Sequence, residues 1–166
     1  MIAISSQLHI ILNVLIAVLL GAAVGFERER SNKPAGARTQ ALVAGSCSLV
    51  VSAGAVVGTL NNYGDPTRAM HAVITGIGFL GAGIMSGAGE WAGRGITTAT
   101  TVFTTAGIGS VVGLDMPIAA LGATLIVLVS LRLGHVLKKV RKRDDMDEPM
   151  NVNNEKVSDD WPESNE

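Results

Sequence analysis

The sequence predicts an all-α membrane protein, a bundle of about five transmembrane helices with the N-terminus outside and the C-terminus in the cytoplasm. Long uncharged stretches, an uneven charge distribution and a high glycine content predict this class. Of the 166 residues, 20 are glycine, and nine of the 14 acidic residues fall in the last 23 positions. Glycine is costly in a helix in water but is tolerated in membrane helices, where it lets backbones approach closely. The chain therefore divides into a nearly charge-free body and a polar tail.

Five uncharged stretches have lengths that suit the hydrocarbon core of a bilayer. They cover about residues 8–26, 41–60, 69–85, 95–113 and 117–131. A helix rises about 1.5 Å per residue, so the first stretch is about 28 Å long against a hydrocarbon thickness of roughly 30 Å. No positive residue precedes this stretch, so we do not expect a cleaved signal peptide. The fourth stretch is rich in threonine and is the weakest candidate, with a re-entrant loop as the alternative.

The positions of Lys and Arg orient the predicted bundle, because cytoplasmic loops carry the positive excess. Five spans with the N-terminus outside place 12 basic residues on the cytoplasmic side and one outside. A four-span topology would lose this asymmetry, which supports the fourth span. Within a transmembrane domain of residues 1–143, residues 132–143 form a basic collar that anchors the topology or meets anionic headgroups. Residues 144–166 form an acidic tail that is poor in large aliphatic residues and is predicted to be disordered.

Small residues that recur at helical spacing predict close helix packing. The glycines predicted to pack helices are Gly21, Gly25, Gly36, Gly76, Gly78, Gly81, Gly83, Gly95 and Gly109. The run 76–83 holds four glycines in eight residues, which predicts either that another backbone crosses there or that the helix is locally broken. A dinucleotide-binding loop is a poor interpretation, because that motif follows a strand and opens a helix in a soluble domain.

Charged residues at the ends of the spans are the main candidates for function. A carboxylate near the hydrocarbon is costly unless it is paired. We therefore expect Glu27 to pair with Arg28, Arg38 or Arg94. The alternative for each of these charges is a topogenic role, with the side chain extended towards the headgroups.

No pattern in the sequence indicates catalysis or a metal site. The chain lacks Cys/His spacing for zinc, a Ser-His-Asp arrangement and a phosphate-binding loop. We therefore predict no catalytic residue, no metal, no cofactor and no nucleic-acid partner. His9 and His71 are candidates for proton movement or, more simply, for hydrogen bonds between helices. Cys47 is expected to be a small packing residue.

Five ordered segments carry a resemblance to a known family. They are GAAVGFER at 21–28, AGARTQALV at 35–43, GIGFLGAG at 76–83, RGITTA at 94–99 and AGIG at 106–109. This series resembles the MgtC/SapB family of bacterial inner-membrane proteins, from about residue 10 to about residue 135. Besides several of the glycines above, the motif positions of that family fall on Glu27, Arg28, Arg38, Thr39, Arg68, Arg94, Thr97 and Thr98.

The resemblance implies a multi-pass protein of the bacterial inner membrane that takes part in ion homeostasis and adaptation to low magnesium. It implies a regulator of another membrane complex, for example the F-type ATP synthase, or of the membrane potential. Some relatives carry a folded soluble C-terminal domain where this chain has a short acidic tail, so functions that need that domain are not expected here. The expected partners are the lipid bilayer, a second copy in a homodimer or oligomer, and such a membrane complex.

A small ion transporter or channel formed by a homo-oligomer is the alternative function. In this hypothesis the threonines of the fourth span and the glycine-rich helix line a polar route. Magnesium prefers carboxylate ligands and retained waters, and the body of the chain has few carboxylates. Protons, sodium or a small anion suit such a route better.

Overall fold

The computed structural model describes residues 3–61, 66–86 and 92–147, and every regular element in these ranges is a helix. In chain order the helices are α1 (Ile4–Arg30), α2 (Ala37–Asn61), α3 (Pro66–Ser86), α4 (Ala92–Gly113) and α5 (Pro117–Asp147). The predicted all-α class is confirmed, and each predicted span lies inside one helix. The helices exceed the predicted spans because polar and charged residues at the membrane boundaries continue the helical turn.

Four helices are long and apolar enough to cross a membrane by length and composition: Ile4–Arg30, Ala37–Gly58, Thr67–Ser86 and Gly95–Gly113. The threonine-rich fourth segment is a continuous helix, so the re-entrant alternative is wrong. In α5 the apolar part is shorter and runs over Pro117–Leu133.

The unit of packed helices ends at Leu131, where the predicted basic collar begins. The structure continues α5 through this collar to Asp147. Residues 144–147, which the sequence assigned to a disordered tail, are therefore helical. The remainder of that predicted tail, residues 148–166, lies outside the described residues.

Side-chain sizes are distributed inside out relative to a soluble bundle. The largest fully buried side chains are Gln40 and residues no bigger than valine or threonine. Large apolar side chains lie outside, with Phe79 81% and Ile118 86% exposed. A protein in water would bury such residues, whereas lipid tails are as apolar as leucine and give no reason to hide them. The surface of the bundle is therefore suited to lipid.

A tight turn joins α1 to α2 as an antiparallel pair. Asn32 adopts the left-handed conformation with φ 51°, and the N–H of Lys33 donates to Arg28 O at 2.9 Å. This Schellman arrangement satisfies the last carbonyls of α1 and reverses the chain. The two helices then approach at Gly25, where an added Cβ would lie 2.5 Å from Ala37 Cα.

The helices α2 and α4 run parallel and touch through their backbones. A Cβ added at Gly109 would collide with the carbonyl oxygen of Ala44, and one added at Gly113 would lie 2.9 Å from Ser48 O. The helix α3 runs antiparallel to both and contacts α2 and α4. The C-terminus of α1 and the N-termini of α2 and α4 therefore share one end of the bundle, here called the Arg28 end, and the opposite end is called the His9 end.

A second Schellman turn at the His9 end connects α4 to α5. Asp115 has φ 61°, and the N–H of Met116 donates to Val111 O at 3.2 Å. Pro117 opens α5 at the position where the missing N–H has no consequence. Along α5, Ala120 belongs to a buried cluster with Ala17 and other apolar residues of α1 and α4.

The glycine run of α3 is part of a continuous helix, so the predicted local break is wrong, whereas a crossing by another chain stays a prediction. The helix α3 is unbroken from Pro66 to Ser86, and a Cβ added at Gly76, Gly78 or Gly83 would meet nothing within 4 Å. At Gly81 the nearest atom is Ala99 Cβ at 3.9 Å. No backbone of the described residues therefore crosses Gly76, Gly78 or Gly83, and packing of these glycines against another chain stays a prediction.

Candidate functional site

Buried polar side chains follow the interface of α1, α2 and α4 from one end of the bundle to the other. We call this set the polar seam; its members are Asn13, Arg28, Gln40, Ser48, Ser52, Thr98, Thr101 and Thr105, each no more than 6% exposed. Helical spacing places these residues on inward faces, since 98, 101 and 105 share one side of α4 and 40, 48 and 52 one side of α2. Polar groups buried at membrane depth are costly and mark candidate functional sites.

At its Arg28 end, the polar seam contains a buried positive charge. Arg28 is 4% exposed, and its Nη2 donates to Thr98 Oγ1 at 3.2 Å. Its Nε atom is buried with no hydrogen-bond partner. Among the described residues, no carboxylate lies within 4.0 Å of the guanidinium. The site therefore brings together two of the predicted motif residues, and the neighbouring Glu27 acts on the charge of Arg28 electrostatically without forming a close ion pair.

The two carboxylates that flank Arg28 in sequence are bound elsewhere. Glu27 Oε1 accepts a hydrogen bond from Ser31 Oγ at 2.9 Å, and Glu29 Oε1 accepts one from the N–H of Ala37 at 3.0 Å. Both contacts stabilise the turn between α1 and α2. The expected ion pair of Glu27 with Arg28 or Arg38 is absent from the described residues, because the carboxylate of Glu27 points towards Ser31, one turn further along the chain. The side chain of Arg94, the third expected partner, lies outside the described residues.

The middle of the polar seam contains polar atoms without partners. Gln40 Oε1, Ser48 Oγ and Thr105 Oγ1 are buried and make no hydrogen bond. Since the α2–α4 contact pairs Ala44 with Gly109, one turn earlier on each helix Gln40 lies level with Thr105. Buried polar groups are normally satisfied by protein or by ordered water. The backbone contact at Ala44 and Gly109 closes the polar seam at this level.

At the His9 end, the polar seam opens into a cavity of about 330 Å³. Ser5, Ser6 and Val56 are among its lining residues. Asn13 Nδ2 donates to Asp115 Oδ1 at 2.6 Å, and His9 Nε2 lies 3.2 Å from the same oxygen. These contacts fasten the start of α1 to the α4–α5 turn.

The remaining predicted motif residues do not join the polar seam. Arg38, Thr39, Arg68 and Thr97 are exposed, and Arg68 lies at the start of α3. The structure therefore separates the family motif into an inward pair, Arg28 with Thr98, and outward residues.

The predicted packing glycines divide in the same way. Gly21, Gly25 and Gly109 lie against neighbouring backbone, and Gly36 lies against the side chain of Glu29. Gly95 is buried in the first turn of α4.

Sequence reasoning missed the roles of Asn13, Gln40, Ser52 and Asp115. Each is a single polar residue in or beside an apolar stretch, which hydropathy averages conceal. The signal that could have found them is the i, i+4, i+7 spacing of polar positions. In the described part of the chain, no group of three or more His, Cys, Asp or Glu side chains is arranged to hold a metal ion.

These features define a helical membrane protein with a polar, glycine-packed interior. The model of the MgtC family matches residues 14–140, and the chain belongs to that family.

Among the relatives, Protein MgtC of Salmonella typhimurium is 42% identical over 119 residues, which cover 71% of this chain and 49% of the relative. Protein SapB of Bacillus subtilis is 34% identical over 137 residues, or 79% of this chain and 59% of the relative. An uncharacterized protein of Haemophilus influenzae is 37% identical over 142 residues, or 79% and 58%. The chain thus spans about half the length of these relatives. No solved structure matches it.

Proposed function

We propose that the chain is a multi-pass protein of the bacterial inner membrane that supports adaptation to low magnesium. It acts by regulating another membrane complex, for example the F-type ATP synthase, or the membrane potential, and it has no catalytic chemistry. Membership of the MgtC family supports the link to magnesium limitation.

The proposed topology has five spans, with the Arg28 end in the cytoplasm. The charge asymmetry of 12 basic residues against one supports it. The apolar part of α5, Pro117–Leu133, has a length of about 26 Å, which a bilayer accommodates by thinning slightly. A thiol reagent that cannot cross the membrane tests this orientation in a Cys47→Ala background. It should label a cysteine at Ser5 from outside in intact cells and one at Lys33 only after lysis.

The uncovered glycine face of α3 is the observation that carries the regulatory proposal. Gly76 and Gly83 are seven residues apart and share one face of α3, and a Cβ added at either would meet nothing within 4 Å, while Phe79 on the same side is 81% exposed. A helix that faces only lipid gains nothing from losing side chains, whereas helices that associate in membranes use small residues at the contact. The face therefore suits the helix of a partner.

Growth at low magnesium tests whether this face of α3 is needed for the proposed function. In a strain without its own copy, Gly76→Leu and Gly83→Leu should fail to restore growth, because leucine would hold the partner helix away. Gly107→Leu and Gly122→Leu are matched controls, since a Cβ at these glycines of α4 and α5 also meets nothing within 4 Å. All four proteins should unfold at or slightly above the wild-type temperature, because leucine is a better helix former than glycine. Normal growth with both α3 variants would contradict the proposal.

The identity of the partner needs a direct measurement. Inverted membrane vesicles that contain the F-type ATP synthase should hydrolyse ATP more slowly when the purified wild-type chain is reconstituted with them. The Gly76→Leu protein should leave the rate unchanged. Equal rates with both proteins would remove the ATP synthase as the partner and leave other membrane complexes.

A small ion transporter or channel is the second candidate, and the polar seam favours it. The buried hydroxyls of Thr98, Thr101 and Thr105 face α1 and α2 within one protomer. In this hypothesis one route runs through each chain, while the exposed Thr97 and Thr100 suit a route between the copies of a homo-oligomer.

Proteoliposomes loaded with a fluorescent ion indicator test this route under proton, sodium and magnesium gradients. Flux that Gly109→Ala or Thr105→Val changes would support the transporter. A folded wild-type preparation that conducts none of these ions would contradict it.

A further inference from the structure

The guanidinium of Arg28 is a buried charge that Glu27 attracts electrostatically but that forms no close ion pair among the described residues. It is 4% exposed and its Nε makes no hydrogen bond. The neighbouring carboxylates of Glu27 and Glu29 are engaged with Ser31 and Ala37. An isolated buried charge is strongly unfavourable, and buried charges in proteins are paired or bind ions.

Through Thr98, Arg28 approaches the N-terminal part of α4. Thr98 Oγ1 accepts the hydrogen bond from Arg28 Nη2. Side chains on a helix lean towards its N-terminus, so this oxygen lies over Gly95, one turn before Thr98. Gly95 belongs to the first turn of α4, which starts at Ala92 and has no acidic residue in that turn. The first N–H groups of a helix have no intrahelical acceptor and carry a partial positive charge.

Arg28 and the first turn of α4 therefore lie on either side of Thr98, an arrangement that an anion between or beside them would stabilise. A tetrahedral oxyanion matches both donors, because guanidinium binds phosphate through two parallel hydrogen bonds and helix N-termini bind phosphate through backbone N–H groups. Gly95 itself has no side chain that would block the approach of a ligand to its N–H group. We propose that Arg28, held in place by Thr98, and the first turn of α4 form a binding site for a phosphate group.

The phosphate has two sources, a lipid headgroup or free inorganic phosphate. In the topology proposed above, the site lies at the cytoplasmic surface, where both are present. The site itself is inferred from Arg28 and α4 alone, so it does not depend on the regulatory proposal.

Thermal unfolding and native mass spectrometry of the full chain in a maltoside detergent test the site. One arm adds phosphatidylglycerol and a second adds sodium phosphate. Diacylglycerol, which lacks the phosphate, and sodium chloride at the same ionic strength are the controls. In wild type we expect a higher unfolding temperature and a bound adduct in the first arm, or in both. A response to phosphatidylglycerol alone assigns the site to a lipid headgroup, and a response to both assigns it to small oxyanions as well.

Variants connect this response to the proposed residues. Arg28→Gln should weaken the apparent affinity at least about tenfold, the effect of losing charge-assisted hydrogen bonds. Thr98→Val should weaken it less, because it loosens the arginine without removing the charge. Arg30→Gln should bind as wild type, since Arg30 is exposed at the same end of α1. If Arg28→Gln does not fold, Arg28→Lys and Thr98→Val still provide the comparison.

Two results would overturn the proposal. One is a wild-type protein that responds to neither phosphate source, or a response that Thr98→Val and the folded Arg28 variants leave unchanged. The other concerns Glu90, which lies outside the described residues and is the alternative counter-charge. If Glu90→Gln destabilises the protein as much as Arg28→Gln, and the double variant is no worse than either, the carboxylate and not a phosphate balances Arg28.

Discussion

Adding one methyl group at Gly109 should separate α2 from α4. The new Cβ would collide with the carbonyl oxygen of Ala44, and a backbone atom cannot rotate away as a side chain can. Forcing extra atoms into a packed interior costs typically about 1–3 kcal/mol, and a clash with backbone belongs at the upper end of that range. Alanine is a better helix former than glycine by about 1 kcal/mol. The free energy of unfolding of Gly109→Ala should therefore fall by about 2 kcal/mol.

Gly107→Ala is the matched control for this prediction. Gly107 lies on the same helix, two residues away, and a Cβ there meets nothing within 4 Å. This variant gains the helix propensity without the clash, so its stability should rise by up to about 1 kcal/mol. Reversible unfolding in detergent, titrated with denaturing surfactant, measures both variants. If Gly109→Ala is as stable as Gly107→Ala, the close α2–α4 approach is not a feature of the folded protein.

Three further predictions concern stability in the same assay. Thr105→Val removes a buried hydroxyl that has no partner and should raise the free energy of unfolding by about 1 kcal/mol. Thr101→Val removes a 2.7 Å hydrogen bond to Thr97 O and should lower the free energy of unfolding by about as much. A loss of stability in Thr105→Val would show that an ordered water binds that hydroxyl. Asn13→Leu breaks the 2.6 Å bond to Asp115 and should cost about 1 kcal/mol, and an unchanged stability would mean that water replaces Asn13 at the open cavity. Asn32→Gly should stabilise the protein by up to about 1 kcal/mol, because φ is 51° at that position. Asp115→Gly, at φ 61°, should destabilise the protein, because the contacts with Asn13 and His9 are lost. Equal effects of the two substitutions would show that these contacts do not contribute to stability.

The helices were predictable because uncharged length is a direct consequence of bilayer thickness. Their ends were less so, since Glu27 to Arg30 continue α1 until Asn32 ends it with a left-handed turn. A hydropathy profile shows where charged residues interrupt an apolar stretch, but it does not show at which residue the helix ends. Hydrogen bonding at the turn decides that, and it depends on residues outside the apolar stretch.

The candidate site was predicted in its residues but not in its geometry. Arg28 and Thr98 were both singled out, yet nothing in their sequence positions places one against the other. The expected partner of Arg28 was Glu27, the neighbouring residue, although adjacent residues on a helix point about 100° apart. Long-range proximity of this kind depends on helix packing, which the sequence expresses only through small residues.

The glycine run of α3 is a second case in which the sequence did not determine the neighbours of a residue. A face without side chains is required where two backbones cross, and an identical face serves a partner that is absent from the chain. Composition is equal in the two cases, so Gly76 and Gly109 could not be told apart before their surroundings were known. Only the structure separates a glycine that packs within the protomer from one that has no neighbour there.

The inside-out distribution of side-chain sizes has a consequence for tolerance to mutation. Inward positions such as Ala17, Ala44 and Val112 have no exposed surface, and they should reject any larger residue while accepting serine or glycine. Outward positions such as Ile118 should accept almost any apolar residue of any volume and reject charges. In a saturation mutagenesis map, volume would govern one half of the positions and polarity the other, so two different substitution scales would be needed to read a single small protein.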